Sequence, residues 1–206
     1  MEEALTGYLE GRNIGRAAAV LRGGGVAVLP TDTIYGLHCV CSDRNAVERI
    51  RKIKGRSRST GFILLASSVG MTDTIVSGWP GGSRKILAGL WPAPLTVILP
   101  AAKTVPSPLR PKGGVAVRIP AVPALLKLIE KTGAPIVSTS VNLSGEKPVN
   151  RISDIREGFP GLDAYISRRG SGGLIPSTVV DVREGGALIL REGKAVRGIE
   201  RLLNER

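Results

Sequence analysis

The chain has 206 residues, 42% hydrophobic and 22% charged, which suits one compact domain spanning residues 1–206 and argues against disorder. Lysine and arginine number 29 against 17 acidic residues, so a formal charge of +12 favours nucleotides or nucleic acid as partners. No apolar run reaches the roughly 18 to 20 residues of a membrane span, residues 1–3 are acidic where a secretory signal would be basic, and no Lys/Arg run forms a polybasic anchor, so a cytoplasmic protein with no membrane partner is expected.

In chain order, the first predicted helix starts at about Asn13, read as its N-cap, and stops at Gly23-Gly24-Gly25. Val26-Ala27-Val28-Leu29, bounded by glycines and Pro30, reads as a strand buried on both faces. Cys39 and Cys41 stand two apart on a strand or tight bend, a poor geometry for a mutual disulfide. With His38 they lack the distant fourth ligand of a closed zinc site, so they are read as buried thiols. Ser42-Asp43 caps the next helix, in which Ala46, Val47, Ile50 and Ile53 recur at helical spacing up to Gly55.

Residues 62–66 read as another buried strand, 83–90 as a short helix closed by Trp91-Pro92-Ala93-Pro94, and 95–99 as a further strand. The strand at 115–119 repeats the Gly-Gly-Val-Ala-Val entry of the first strand, without being a duplication. A helix over 122–132, ended by Gly133, leads into a strand at 136–138 and a polar turn at 139–142. Strands at 178–181 and 187–190 complete an alternating order, which predicts an α/β sheet covered by helices. Pro106-Ser107-Pro108 and Gly170-Ser171-Gly172-Gly173 are the expected mobile loops.

Several common sites are absent: there is no Gly-x-x-x-x-Gly-Lys-Ser/Thr loop, no Gly-x-Gly-x-x-Gly after a strand and no His-Glu-x-x-His. Polar turns placed just after apolar strands remain, where open α/β sheets bind ligands. Pro30-Thr31-Asp32-Thr33-Ile34-Tyr35-Gly36-Leu37 can hold a small polar ligand on its hydroxyls and backbone N–H groups, with Tyr35 and Gly36 shaping the wall, or be only a turn and cap. Lys54-Gly55-Arg56-Ser57-Arg58 can splay cations around a triphosphate, or be a solvated helix end favoured by the dipole. Ser138-Thr139-Ser140-Val141-Asn142-Leu143-Ser144-Gly145 can ring a phosphate or ribose, or be an ordinary Ser/Thr-rich turn. Ser177-Thr178-Val179-Val180-Asp181 and Leu190-Arg191-Glu192-Gly193 are each weak signals alone.

In order and wording these segments, with Trp91-Pro92-Ala93-Pro94-Leu95-Thr96 and Val117-Arg118-Ile119-Pro120, resemble the YrdC-like family of threonylcarbamoyl-AMP synthases from about Val20 to Gly193. The resemblance implies a twisted, mixed, open α/β sheet flanked by helices around a concave basic face. It also implies that L-threonine, bicarbonate or carbon dioxide, and ATP give threonylcarbamoyl-adenylate and pyrophosphate. A separate tRNA threonylcarbamoyl-transferase machinery would then modify tRNA. By match to the family motifs, Lys54 and Arg56 carry catalysis. Lys54, Arg56, Arg58, Ser140, Asn142 and Arg191 hold ATP, and Thr31, Arg118, Ser138 and Ser177 line the threonine site. Arg118 is the natural partner of the amino-acid carboxylate. Mg²⁺ is expected on the pyrophosphate, with no obvious protein carboxylate as its ligand.

The chain departs from the family pattern at Gly61-Phe62, at Leu65, near which longer members place a histidine, and at Val141, which adds bulk beside the nucleotide site. It stops at Arg206 without the further domain of longer relatives, so a loop is expected to serve as any lid. The competing reading is a YrdC-like protein that binds double-stranded RNA or tRNA without synthase activity, which the charge alone would suit. Retention of Lys54/Arg56 with Ser140/Asn142 opposes it, and 3% aromatic residues oppose single-strand recognition by stacking. A carbamoyl-adenylate-forming domain of hydrogenase maturation is a third reading, opposed by the missing zinc-binding cysteines.

Overall fold

The computed structural model describes residues 4–57, 60–169, 175–184, 186–194 and 196–204. Among these, ten strands form one mixed sheet in the order β1-β8-β2-β3-β7-β4-β6-β5-β9-β10. The strands are β1 (Leu5–Tyr8), β2 (Ala27–Leu29), β3 (Gly36–Val40), β4 (Ile63–Leu65), β5 (Leu95–Pro100), β6 (Gly114–Arg118), β7 (Ile136–Ser140), β8 (Ala164–Ser167), β9 (Thr178–Asp181) and β10 (Leu188–Arg191). Four pairs are parallel (β1/β8, β2/β8, β4/β6, β5/β9) and the other five antiparallel, as the resemblance implies for a mixed α/β sheet.

Seven α-helices are described: α1 (Arg12–Arg22), α2 (Arg44–Lys54), α3 (Val69–Asp73), α4 (Ser83–Leu90), α5 (Pro123–Thr132), α6 (Ile152–Gly158) and α7 (Glu200–Leu203). Local chemistry sets the ends of the longer ones. Asp43 accepts a hydrogen bond from Ala46 N at 2.9 Å to start α2, and Gly55 at φ 57° ends it in the left-handed conformation that glycine adopts without strain. Asn13 does not cap α1. Gly11 takes the N-cap position, and Asn13 Nδ2 donates instead to Tyr8 O at 3.1 Å, tying the helix to the end of β1.

Side-chain alternation splits the core into two layers. On one face, Ala27, Leu29, Leu65 and Ile136 pack with α1 and α5. On the other, Val28, Leu37, Cys39, Leu64, Val97 and Val117 pack in the larger cluster that includes Ile50 of α2 and Leu87 of α4. Helices α1 and α5 cover only part of their face. Ser138 and Ile63 stand two residues from Ile136 and Leu65, so they share that face beyond the helices and begin an open floor.

Two expectations change here. The residues around Pro106-Ser107-Pro108 are not a free loop: Ser107–Leu109 forms a 3-10 turn, with Val105 and Leu109 buried. Strand β7 runs on through Thr139 and Ser140, which were expected to be in a turn, because β3 pairs with it as far as Gly36↔Ser140. The Gly170–Gly173 segment lies outside the described residues. No helix among the described residues is long and apolar enough to cross a membrane.

Candidate active site

Register builds the floor of a cleft of about 790 Å³. Ser138 lies opposite Ile63, Ile63 opposite Ala116, Ala116 opposite Ile98, and Ile98 opposite Asp181, so five adjacent strands each contribute one side chain to a single row. Arg118, Thr96 and Val179 stand two residues further along the same strands and also line the cleft. Within its lining, Arg56, Lys112, Arg118, Arg183 and Arg191 face one carboxylate, Asp181, so the described surface is strongly basic. That carboxylate is already occupied: Arg183 donates to it from Nε at 2.9 Å and Nη2 at 2.7 Å.

One end is polar and tightly bonded. Thr31 Oγ1 contacts Thr33 Oγ1 at 2.9 Å and donates to Ile34 O at 2.7 Å. Arg118, 3% exposed, donates to Thr33 Oγ1 at 3.1 Å and sets Nη2 3.4 Å from Asp32 Oδ1. Burial lowers the Arg118 pKa, Asp32 opposes that shift, and nearby Arg191 adds to it. Ser177 Oγ lies 2.8 Å from Thr96 Oγ1 and accepts from Arg191 Nη2 at 3.1 Å. Gly193 is required beside it, because a Cβ there would fall 2.4 Å from Pro176 O.

Thr31, Arg56, Arg118, Ser138, Ser140, Ser177 and Arg191 therefore converge on one cleft, although they come from widely separated segments. Lys54 and Asn142 do not line it. Lys54 is not an exposed cation at a helix end; it is 2% exposed, and its Nζ donates to Ser140 O at 2.6 Å, Asn142 O at 2.9 Å and Asn142 Oδ1 at 3.0 Å. Burial, followed by the charge of Arg56, pulls its pKa down to about 8. The Asn142 amide is spent within the turn, donating to Leu143 O at 2.7 Å and Glu146 O at 2.8 Å. Both residues sit behind Ser140 and fix it. Arg58 lies outside the described residues.

The helix pattern carried a signal for this burial. Val47, Ile50, Arg51 and Lys54 fall on one stripe of α2, and all are buried. Arg51, which no motif singled out, donates to Ser57 O, to Thr60 O at 3.3 Å and to Pro108 O at 3.3 Å. It thus fastens the loop after α2 to the Ser107–Leu109 turn. Arg51 and Arg56 both lie against the Phe62 ring, at 4.9 and 5.0 Å. Gly61 admits the Pro111 ring, whose Cδ would be 2.9 Å from an added Cβ, so the Gly61-Phe62 departure shapes the cleft wall. Val141 is fully buried in the core and does not line the cleft, so its extra bulk does not reach the cleft surface.

His38 sits on the cleft-side face of β3, opposite Ser138, and is fully buried. Its pKa falls to about 3, through burial first and Arg118 second, so it is neutral at physiological pH. Cys39 and Cys41 are free buried thiols, with burial raising both pKa values and pushing Cys41 up to about 11. No group of three metal-ligating side chains occurs among the described residues.

Comparison with known proteins places this geometry in context. The Sua5_yciO_yrdC family model, described as "Telomere recombination", matches residues 19–193. The chain is similar to the threonylcarbamoyl-AMP synthase of Pyrococcus abyssi, with 34% identity over 198 residues, covering 92% of this chain and 56% of that one. It thus spans little more than half the length of that relative. It is also similar to the threonylcarbamoyl-AMP synthase of Nitrosococcus oceani, with 38% identity over 151 residues, covering 73% of this chain and 82% of that one. Among solved structures, that of P. abyssi Sua5 complexed with L-threonine superposes with a TM-score of 0.89 at 32% identity, covering 99% of this chain and 62% of the other.

Proposed function

The chain belongs to the Sua5/YciO/YrdC family, and on that premise we propose that it is an L-threonylcarbamoyl-adenylate synthase, acting in the cytoplasm as a single functional domain. It uses L-threonine, bicarbonate or carbon dioxide, and ATP, and its product feeds a tRNA threonylcarbamoyl-transferase machinery. The observation that carries this reading is the meeting of a hydroxyl- and arginine-lined end (Thr31, Arg118, Ser177) with further cations and Ser140 in one cleft of about 790 Å³. That is within the size range of small-molecule sites.

The chemistry needs positioning more than it needs an acid or base. The threonine amine adds to carbon dioxide, losing a proton, and gives a carbamate. A carbamate oxygen then bonds to the α-phosphorus of ATP while the bond to pyrophosphate breaks. In this proposal Thr31, Arg118, Ser138 and Ser177 hold threonine. Arg56, Arg58, Ser140 and Arg191 neutralise the phosphates, and Lys54 and Asn142 act through the Ser140 turn. Among the described residues, Asp181 is chelated by Arg183 and Asp32 leans on Arg118, so neither carboxylate is free to hold a metal. In this proposal Mg²⁺ is carried on the phosphates of ATP as part of the substrate.

The test is pyrophosphate release by nucleotide-free protein. Release should require ATP, L-threonine and bicarbonate together. Serine, lacking one methyl, should react about several-fold worse. Valine should fail more completely, because losing the hydroxyl leaves buried partners unpaired at about 1–3 kcal/mol. Release that ignores threonine, or proceeds equally with valine, would refute the assignment.

A further inference from the structure

Arg168 follows β8 and lies behind the Thr31 end of the cleft. Its guanidinium stacks on the Tyr35 ring at 4.9 Å, its Nη1 donates to Thr31 O at 2.9 Å, and its backbone N–H donates to the Tyr35 hydroxyl at 3.2 Å. Thr31 and Tyr35 both line the cleft. The other edge of the guanidinium is unpaired among the described residues. Nε and Nη2 are shielded from solvent, and neither has a hydrogen-bond partner among the described residues.

These two N–H groups form the side-on fork of an arginine, whose spacing fits the two oxygens of a carboxylate. The chain uses that fork elsewhere for this purpose. Arg84 grips Asp73 with Nε at 3.2 Å and Nη2 at 2.7 Å, and Arg169 grips Glu10 at 3.1 and 2.8 Å. Arg183 holds Asp181 in the same way. Arg118 lines this end of the cleft, whereas Arg168 lies behind the lining, and Arg118 already has Asp32 beside its Nη2. Arg168 has no ion pair with a described acid. Buried donors left unpaired are costly, whereas pairing them with an anion away from water gives a strong bond.

We propose that the Nε/Nη2 fork of Arg168 binds a planar carboxylate-type anion at the Thr31 end of the cleft, either the amino-acid carboxylate or bicarbonate. The identity of the anion rests on the synthase reading; the fork itself does not. Because the same guanidinium holds Thr31 O and the Tyr35 ring, anion binding is coupled to the turn that shapes the pocket.

Arg168→Lys keeps the charge and the reach to Thr31 O but has no fork. In the pyrophosphate assay its KM for one anionic substrate should rise about tenfold or more while its KM for ATP stays unchanged. Varying L-threonine and bicarbonate separately identifies which anion is bound. Equal changes for all three substrates together with a lowered Tm would reduce Arg168 to a structural clamp and overturn the proposal. A second measurement needs no turnover: the ¹⁵N-detected Nε–H signal of Arg168, assigned by its loss in Arg168→Lys, is followed while wild-type protein is titrated with L-threonine, bicarbonate or acetate. A shift with at least one of them is expected. A signal unmoved by all three would overturn the proposal, even if the protein releases no pyrophosphate and the synthase reading has failed separately.

Discussion

Lys54 and Arg56 are neighbours with opposite duties. All three N–H groups of the Lys54 ammonium are used on Ser140 and Asn142, whereas Arg56 lines the cleft and, among the described residues, its side chain makes one weak hydrogen bond, to Thr139 Oγ1 at 3.3 Å. Lys54→Met should therefore cost about 2–3 kcal/mol by leaving buried acceptors unpaired, lowering Tm by about 4–12 °C in calorimetry. Arg56→Ala should cost less than about 1 kcal/mol but raise the KM for ATP about tenfold. The reverse pattern would exchange their roles. Between about pH 8 and the ordinary lysine value of 10.5, the unfolded chain keeps a proton on Lys54 that the folded chain has released, so this group adds to stability as pH rises through that window. Activity should move the other way. A neutral amine has one N–H fewer to hold the Ser140 turn, so pyrophosphate release should fall above about pH 8 in wild type, and that limb should be missing from Lys54→Met.

Elements closed by local chemistry were legible in the sequence. Helices α2 and α5 end at glycines whose φ of 57° and 73° needs no distant contact to explain. Strands whose identity depends on partners were not: β3 includes Gly36 and His38 and exists because β2 and β7 flank it, and β1 and β8 are recognisable only by their pairing. The motifs likewise marked cleft residues such as Thr31 and Ser177, but gave no sign of Arg183, which also reaches Lys112 O, or of the Arg51 strut, which reaches Pro108 O, because those two contacts are remote in sequence. The β3/β7 pair also carries a packing dependence. A Cβ on Gly36 would lie 2.8 Å from His38 Cε1 and 3.0 Å from Thr139 O. Gly36→Ala should destabilise by about 1–3 kcal/mol, and less in a His38→Ala background, with a coupling above about 0.5 kcal/mol in urea unfolding. Additive changes would show that His38 is not the obstacle.

At the scale of the whole molecule, a charge of +12 and a basic cleft make association with polyanions electrostatic. Any binding of tRNA should fall steeply between low and physiological salt and discriminate little between sequences, as counterion release requires. A flat salt dependence in filter binding would point to base readout. The strand order has another consequence, for the timing of folding during synthesis. Strand β1 pairs with β8 alone, Leu5 against Ala164, and β2 takes the other edge of β8. Contacts between residues so far apart close late and slow the approach to the native state. A ribosome-bound chain arrested before residue 164 has left the exit tunnel should keep exchangeable amides in β1, while release through Ser167 should protect them. On the ribosome, β1 must wait for β8 before it has its partner among the described strands.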